Sequence, residues 1–205
     1  TILSSWDDRR KAIQVEAYTM RENLKTLKVN GSYMPAGEGK LNFSLELDKL
    51  RMNLFNPYLK GIFTDLRGIA SGKIQLTGSP KKPVMNGEIS MQKTAFTVDY
   101  LKTRYNFTEK LEVENNNVYF DNVRVFDQKG NSAYLTGAIR NKYLKDFLFD
   151  LTLRSTDFLC LNTTAGDNSM FYGTAYATGV VRITGPPKNL TMDITATTGK
   201  NTSIK

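Results

Sequence analysis

One phrase is written twice in this chain. The stretch GKIQLTGSPKKP, residues 72–83, returns as GVVRITGPPKN, residues 179–189. Gly72, Ile74, Leu76, Gly78, Pro80 and Lys81 align with Gly179, Val181, Ile183, Gly185, Pro187 and Lys188, at an offset of 179 − 72 = 107. A repeat constrains a fold strongly, because both copies must form the same supersecondary unit. The match extends upstream. Leu45, Leu47, Met52, Leu54 and Asn56 align with Leu151, Leu153, Phe158, Cys160 and Asn162 at an offset of 106. Val29-Asn-Gly31 matches Leu135-Thr-Gly137 at the same offset, and Leu41-Asn-Phe43 matches Phe147-Leu-Phe149. The 205 residues are therefore expected to form one elongated domain of two diverged copies, about 1–105 and 106–205. Unit one runs on through Tyr105 and Val125 while the second copy stops at Lys205. The chain is accordingly expected to be a fragment of a longer protein, with any membrane anchor outside it.

The dominant period is two. Phe147, Phe149, Leu151 and Leu153 alternate with Leu148, Asp150, Thr152 and Arg154. Leu41, Phe43, Leu45 and Leu47 alternate with Asn42, Ser44, Glu46 and Asp48. Val118 and Phe120 do the same, and after a short break so do Val123 and Val125. Such alternation marks antiparallel strands with one apolar face and one wet face. Turn chemistry is expected at Asn30-Gly31, Pro35-Ala-Gly37, Asn86-Gly87, Lys129-Gly130-Asn131 and Thr198-Gly199, and a Pro-Lys turn after Gly78 and after Gly185. A first strand is expected near residues 13–17, with residues 1–10 ambiguous. One segment departs from period two. Asn56-Pro57 suits a helix start, and Tyr58, Leu59, Ile62, Phe63 and Leu66 then fall on one helical stripe. One short helix is expected there, and a loop at its counterpart TTAGDNSMFYG.

Catalytic chemistry is not expected. The chain has no histidine and one cysteine, so the commonest general base and most zinc sites are missing. The glycine-rich phrase GIASG precedes a strand and cannot offer helix N-terminal amides to a phosphate. Asp7-Asp8 and the pair Glu109 and Glu112 read as solvated carboxylates. No metal, cofactor or catalytic residue is assigned. Cys160 lies in an alternating apolar run and is expected to be a buried, inert thiol. The net charge of +8 comes from lysines and arginines scattered along the chain. It therefore argues against a nucleic-acid partner and fits proximity to anionic lipid headgroups.

Leu66, Gly68, Gly72, Ile74, Leu76, Gly78, Pro80, Pro83, Gly87, Ile89 and Met91, with Gly173, Gly179, Val181, Ile183, Gly185 and Pro187 in the second copy, carry a resemblance. The pattern resembles the TamB and AsmA-like family of Gram-negative envelope proteins, and the likeness spans nearly the whole chain. The second copy lacks the counterpart of Gly87. The resemblance implies a long, curved, mainly antiparallel sheet rolled into an open trough, the β-taco. It also implies a periplasmic location with an inner-membrane anchor outside this segment, phospholipid transport towards the outer membrane, and an outer-membrane barrel partner in protein assembly.

The residues make one point on their own account. A sheet with one apolar face must cover it, and a tandem repeat can do so by rolling round a continuous channel. The candidate lining is Leu41, Phe43, Leu45, Leu47, Ile74, Leu76, Ile89, Met91, Val118, Phe120, Val123, Val125, Leu135, Phe147, Phe149, Leu151, Leu153, Val181 and Ile183. The expected function is to shield or conduct phospholipid acyl chains along this lining. The alternatives are a scaffold that adds a strand from a β-rich client at an open sheet edge, a dry self-packed core, and a carbohydrate-binding sandwich. The last would use wet-face aromatics such as Tyr18, Tyr119 and Phe126, which are dispersed.

Overall fold

The computed structural model describes residues 1–59, 61 and 63–205. Alternation produces what it predicts: an all-β chain whose strands form one open, curved antiparallel sheet that does not close into a barrel. The strands are β1 (Ile2–Asp7), β2 (Ala12–Arg21), β3 (Leu24–Met34), β4 (Lys40–Arg51), β5 (Phe63–Ser79) and β6 (Lys82–Val98) in the first copy. They continue as β7 (Thr103–Glu114), β8 (Asn117–Asp127), β9 (Ser132–Lys142), β10 (Lys145–Thr163), β11 (Gly173–Gly185) and β12 (Thr191–Thr198). Spatial order follows chain order, so β1 and β12 are the two edges. A two-residue strand β13 (Ser203–Ile204) pairs with β11 beyond the end of β12. The ambiguous N-terminus is thus a strand, held by a six-residue ladder from Ile2 opposite Ala17 to Asp7 opposite Ala12.

Register fixes which side chains share a face. Leu45 lies opposite both Val29 and Ile74, Ile74 opposite Gly87, and Gly87 opposite Val113. Val113 lies opposite Val118, Val118 opposite Ile139, and Ile139 opposite Phe149. One apolar face therefore runs unbroken across the sheet. The opposite face carries cross-strand charge pairs: Glu46 lies between Lys73 at 3.3 Å and Lys28 at 3.9 Å, and Asp150 between Arg140 and Arg182, each at 3.7 Å. Exposed pairs of this kind contribute about 1 kcal/mol at most. Their main effect is to keep that face in water. Every described strand belongs to this sheet, yet Ile74, Val113, Val123 and Leu151 are buried on the apolar side. The sheet itself must curl round that face to cover it.

Bulges make the curl. Register slips between Leu47 and Leu50 in β4, Met91 and Thr94 in β6, Phe120 and Val123 in β8, and Ser155 and Phe158 in β10. Each bulge holds a non-glycine residue in left-handed backbone: Lys49, Lys93, Asn122 and Asp157, with φ of 50°, 49°, 53° and 47°. Three of them donate the freed amide to a hydroxyl on the neighbouring strand. Lys49 N–H reaches Ser71 Oγ at 3.0 Å, Lys93 N–H reaches Thr108 Oγ1 at 3.0 Å, and Asp157 N–H reaches Thr178 Oγ1 at 2.8 Å. A bulge bends its strand and increases its twist. A band of bulges therefore puts a crease across the sheet.

Three local expectations are corrected. Asn30-Gly31 and Asn86-Gly87 are not turns but lie inside β3 and β6. Glycine is required there by close approach: a Cβ on Gly31 would sit 2.1 Å from Asn42 O, and one on Gly87 would sit 2.1 Å from Lys73 O. The helix is also shorter than its stripe. A 3-10 turn over Met52–Phe55 leads into a four-residue helix α1 (Asn56–Leu59), while Phe63 and Leu66 are already in β5. Ile62 lies outside the described residues. Asn56 is itself helical, and its side chain caps the strand instead, exchanging hydrogen bonds with the Leu66 amide at 2.9 Å and carbonyl at 3.3 Å. The loop expected over TTAGDNSMFYG is present between β10 and β11 across residues 164–172, its first and last residues being strand, with Asp167 accepting from the amide and hydroxyl of Thr164.

Candidate functional site

The crease divides the sheet into two walls. The first holds residues 41–47 of β4, 72–78 of β5, 83–91 of β6, 148–155 of β10 and 179–185 of β11. The second holds residues 94–98 of β6, 103–107 of β7, 123–127 of β8 and 158–163 of β10. Near the crease they pack together. Met91 from the first wall and Leu111 of β7 share a core with Tyr105, Val125 and Phe158 from the second. Tyr105 stacks on Phe158 with centroids 5.1 Å apart, and Phe96 meets Tyr105 and Phe107 edge-on.

Polar clamps close this second wall over the β8–β9 hairpin. The Tyr105 hydroxyl donates to Leu159 O at 2.9 Å, and burial pushes its pKa up, so it stays protonated and available as a donor. The Asn162 amide donates to Leu101 O at 2.9 Å. Asp127, 2% exposed, accepts from the amides of Lys129, Asn131 and Leu159 and from Asn131 Nδ2. Burial alone would raise the Asp127 pKa. The Leu159 amide, the Asn131 side chain and the amides of Lys129 and Asn131 outweigh it and hold the carboxyl below its ordinary value.

The predicted lining therefore falls into two groups. Met91, Val123 and Val125 are buried in the crease core, with Leu47, Ile89, Val118, Phe120, Leu135 and Leu153 packed against it. Ile74 and Leu151 are also buried. These side chains are occupied with one another. Leu41, Phe43, Leu45, Leu76, Phe149, Val181 and Ile183 lie on the same face at the mouth, half-buried and outside that core. Phe147 is 42% exposed in the β9–β10 hairpin tip, where a register slip beside Asp146 leaves it without a ladder partner.

The face has further members beyond the predicted lining. Val113, Leu111 and Ile139 lie in ladder with it, and Met192 and Ile194 on β12 extend it, 44% and 63% exposed. Alternation in TMDITA, residues 191–196, was the available signal for the last two. Cys160 is half-buried; burial pushes its thiol pKa up, and its sulfur donates to Phe158 O at 3.2 Å. Tyr18 and Phe126 are each covered by a cation, Lys25 at 4.0 Å and Arg124 at 4.9 Å from the ring centres. Two shallow depressions of about 400 and 500 Å³ lie at bulges, the first between Ser90, Lys93 and Lys110 and the second between Tyr134, Arg154 and Thr178. Among the described residues no cluster of His, Cys, Asp or Glu could hold a metal, and no helix is long and apolar enough to cross a membrane. Comparison with family models, with curated proteins and with solved structures gave no match.

Proposed function

We propose that the mouth of this creased sheet shields phospholipid acyl chains, as one stretch of a longer apolar path in the periplasm of a Gram-negative envelope. The observation that carries this reading is a set of half-buried apolar side chains on one face, Phe43 and Leu76 on β4 and β5 and Phe149 and Ile183 on β10 and β11, with every described strand in the one sheet. Each methylene withdrawn from water is worth about 0.8 kcal/mol. Roughly fifteen of them on such a strip amount to about 12 kcal/mol, with the headgroup left in water. No polar anchor is required, and a uniform strip offers small barriers to sliding. The resemblance to the TamB and AsmA-like family points the same way, as does a basic surface of net charge +8 beside anionic headgroups.

Native mass spectrometry after mild extraction tests it. Phospholipid is expected to co-purify, and Ile183→Asp or Phe149→Asp is expected to remove it while the circular dichroism of the sheet is retained. Lipid-free protein, or variants that keep their lipid, would refute the proposal. A second reading is favoured by the unpaired edge of β12: a scaffold on which a β-rich outer-membrane client adds a strand. It predicts capture of unfolded barrel strands by lipid-free protein.

A further inference from the structure

The two copies fill one equivalent row of the charged face differently. In the first copy the row runs Tyr18, Lys28, Glu46 and Lys73, one residue each from β2, β3, β4 and β5. In the second it runs Arg124, Tyr134, Arg154 and Val180, from β8, β9, β10 and β11. The places correspond, since 134 − 28 = 106, 154 − 46 = 108 and 180 − 73 = 107. Glu46 neutralises the first row from within, 3.9 Å from Lys28 and 3.3 Å from Lys73. Arg154 takes its place in the second copy, and none of the four residues there is acidic. Among the described residues neither Arg124 nor Arg154 has an ion-pair partner, whereas Arg67, Arg104, Arg140 and Arg182 each reach a carboxylate.

This row crosses the depression of about 500 Å³ beside the Asp157 bulge, where Tyr134 and Arg154 are joined by Ser132, Thr156 and Thr178. Arg124 is held at its rim. Its guanidinium donates to Ser132 Oγ at 3.4 Å and lies 4.9 Å from the centre of the Phe126 ring. Tyr134 is 41% exposed, and no cation covers its ring as Lys25 covers Tyr18. We infer that the depression is a binding site for a phosphorylated saccharide, whose phosphate fills the role that the Glu46 carboxylate fills in the first copy.

Charge selects the phosphate. Neighbouring strands lie about 4.8 Å apart, so Arg124 and Arg154, on either side of β9, start roughly 10 Å apart. Both side chains are long enough to meet over Tyr134. A guanidinium is a fork of donors with no acceptor, and one fork satisfies a carboxylate. Two forks suit a phosphate monoester, with its near-double charge and three acceptor oxygens. The ring and the hydroxyls select the saccharide. Tyr134 presents an apolar face to the C–H side of a sugar ring, and Ser132, Thr156 and Thr178 stand round it with hydroxyls to meet those of the sugar. A shallow site implies weak binding, with a dissociation constant on the order of 0.1–1 mM. The site lies on interior strands and on the face opposite the trough, so it depends neither on the sheet edges nor on what the trough holds.

Amide chemical shifts test it, followed by NMR as the chain is titrated with glucose-6-phosphate, glucose or inorganic phosphate at constant ionic strength. Glucose-6-phosphate is expected to shift the amides of Gly130, Tyr134, Arg154, Thr156 and Thr178 and to leave those of Lys28 and Glu46 in place. Glucose and inorganic phosphate are each expected to bind about tenfold more weakly or worse, since each lacks half of the contacts. Arg154→Glu writes the first copy's carboxylate into the second and is expected to abolish the response, with Arg154→Gln as the substitute should it misfold. Arg124→Gln and Tyr134→Ala are each expected to weaken binding about tenfold while the circular dichroism of the sheet is retained. No response round Tyr134 would overturn the inference. So would equal affinity for inorganic phosphate, which would leave a bare anion patch, and so would a folded Arg154→Glu or Arg154→Gln that binds like the wild type. An equal response at Lys93 and Lys110 in the other depression would also overturn it, because any exposed pair of cations would then suffice.

Discussion

Replacing Asp127 should loosen the second wall of the trough. Its carboxylate takes four hydrogen bonds of 2.8–3.0 Å, three inside the β8–β9 hairpin and one from Leu159 on β10. Leu159 is 1% exposed, so in Asp127→Ala its amide has no water to turn to. A buried donor left without an acceptor costs about 1–3 kcal/mol. The hairpin donors are more accessible and rehydrate, at about 1 kcal/mol for the lost turn bonds. The expected loss is about 3 kcal/mol, a large share of a domain stability of about 5–15 kcal/mol.

Urea unfolding measures the loss, and amide exchange locates it. Leu159 should lose protection in Asp127→Ala while amides in β2 and β3 do not. The pH dependence has a definite sign. The folded carboxyl has a lowered pKa, so the folded state holds this proton less tightly than the unfolded chain does. Its contribution is complete above the unfolded value of about 3.9 and is lost as pH falls through the lower folded value. The stability gap between wild type and Asp127→Asn should therefore shrink below about pH 4. A loss under about 1 kcal/mol, with Leu159 still protected, would refute the clamp.

Phe158 is 0% exposed and stacked on Tyr105, so Phe158→Ala should cost about 3–5 kcal/mol by urea unfolding; a small change would mean that the crease is not packed. Lys49 holds φ at 50° in an exposed bulge, a conformation that costs an L-residue about 1–2 kcal/mol. Lys49→Gly should thus raise the melting temperature by a few degrees, roughly 2–4 °C per kcal/mol at this size, and a fall would refute the strain argument. The Cys160 thiol, with its pKa pushed up by burial, should alkylate more slowly in folded than in urea-unfolded protein at the same pH; equal rates would contradict its placement.

Alternation made the apolar face legible before any coordinates, because side-chain direction in a strand depends only on parity. The break between Phe120 and Val123 marked a real bulge at Asn122. What parity cannot report is a slip of two residues, which leaves every side chain on its own face. The upstream offset of 106 shows this. In the ladders, Gly31 lies opposite Phe43 and Gly137 opposite Leu151, so β4 maps on β10 at 151 − 43 = 108 while β3 maps on β9 at 137 − 31 = 106. Two extra residues in the β9–β10 hairpin absorb the difference. The bulges confirm it, since Lys49 and Asp157 are also 157 − 49 = 108 apart and donate to Ser71 and Thr178. The short stripe from Tyr58 to Leu66 was ambiguous for another reason. A few apolar residues at mixed spacing satisfy both periods: Tyr58 and Leu59 stay in α1, while Phe63 and Leu66 belong to β5, which pairs with β6.

Which lining residues are already filled follows from the crease and not from the pattern. Leu45 and Val125 look alike in the sequence, yet Val125 is 5% exposed beside Phe158, and Leu45 stands half-buried towards the mouth. The crease provides the cohesion that lets a one-layer sheet persist with its mouth unfilled. On the acyl-chain proposal, stability and binding fall to different stretches of one face. Polar substitution at Val123 or Leu151 buries a group without partners and threatens the fold. The same change at Phe149 or Ile183, both half-buried, should spare the fold and, on the acyl-chain proposal, alter what the strip holds. A continuous dry core would not separate the two effects, and this separation is what makes the acyl-chain proposal open to test by single substitutions.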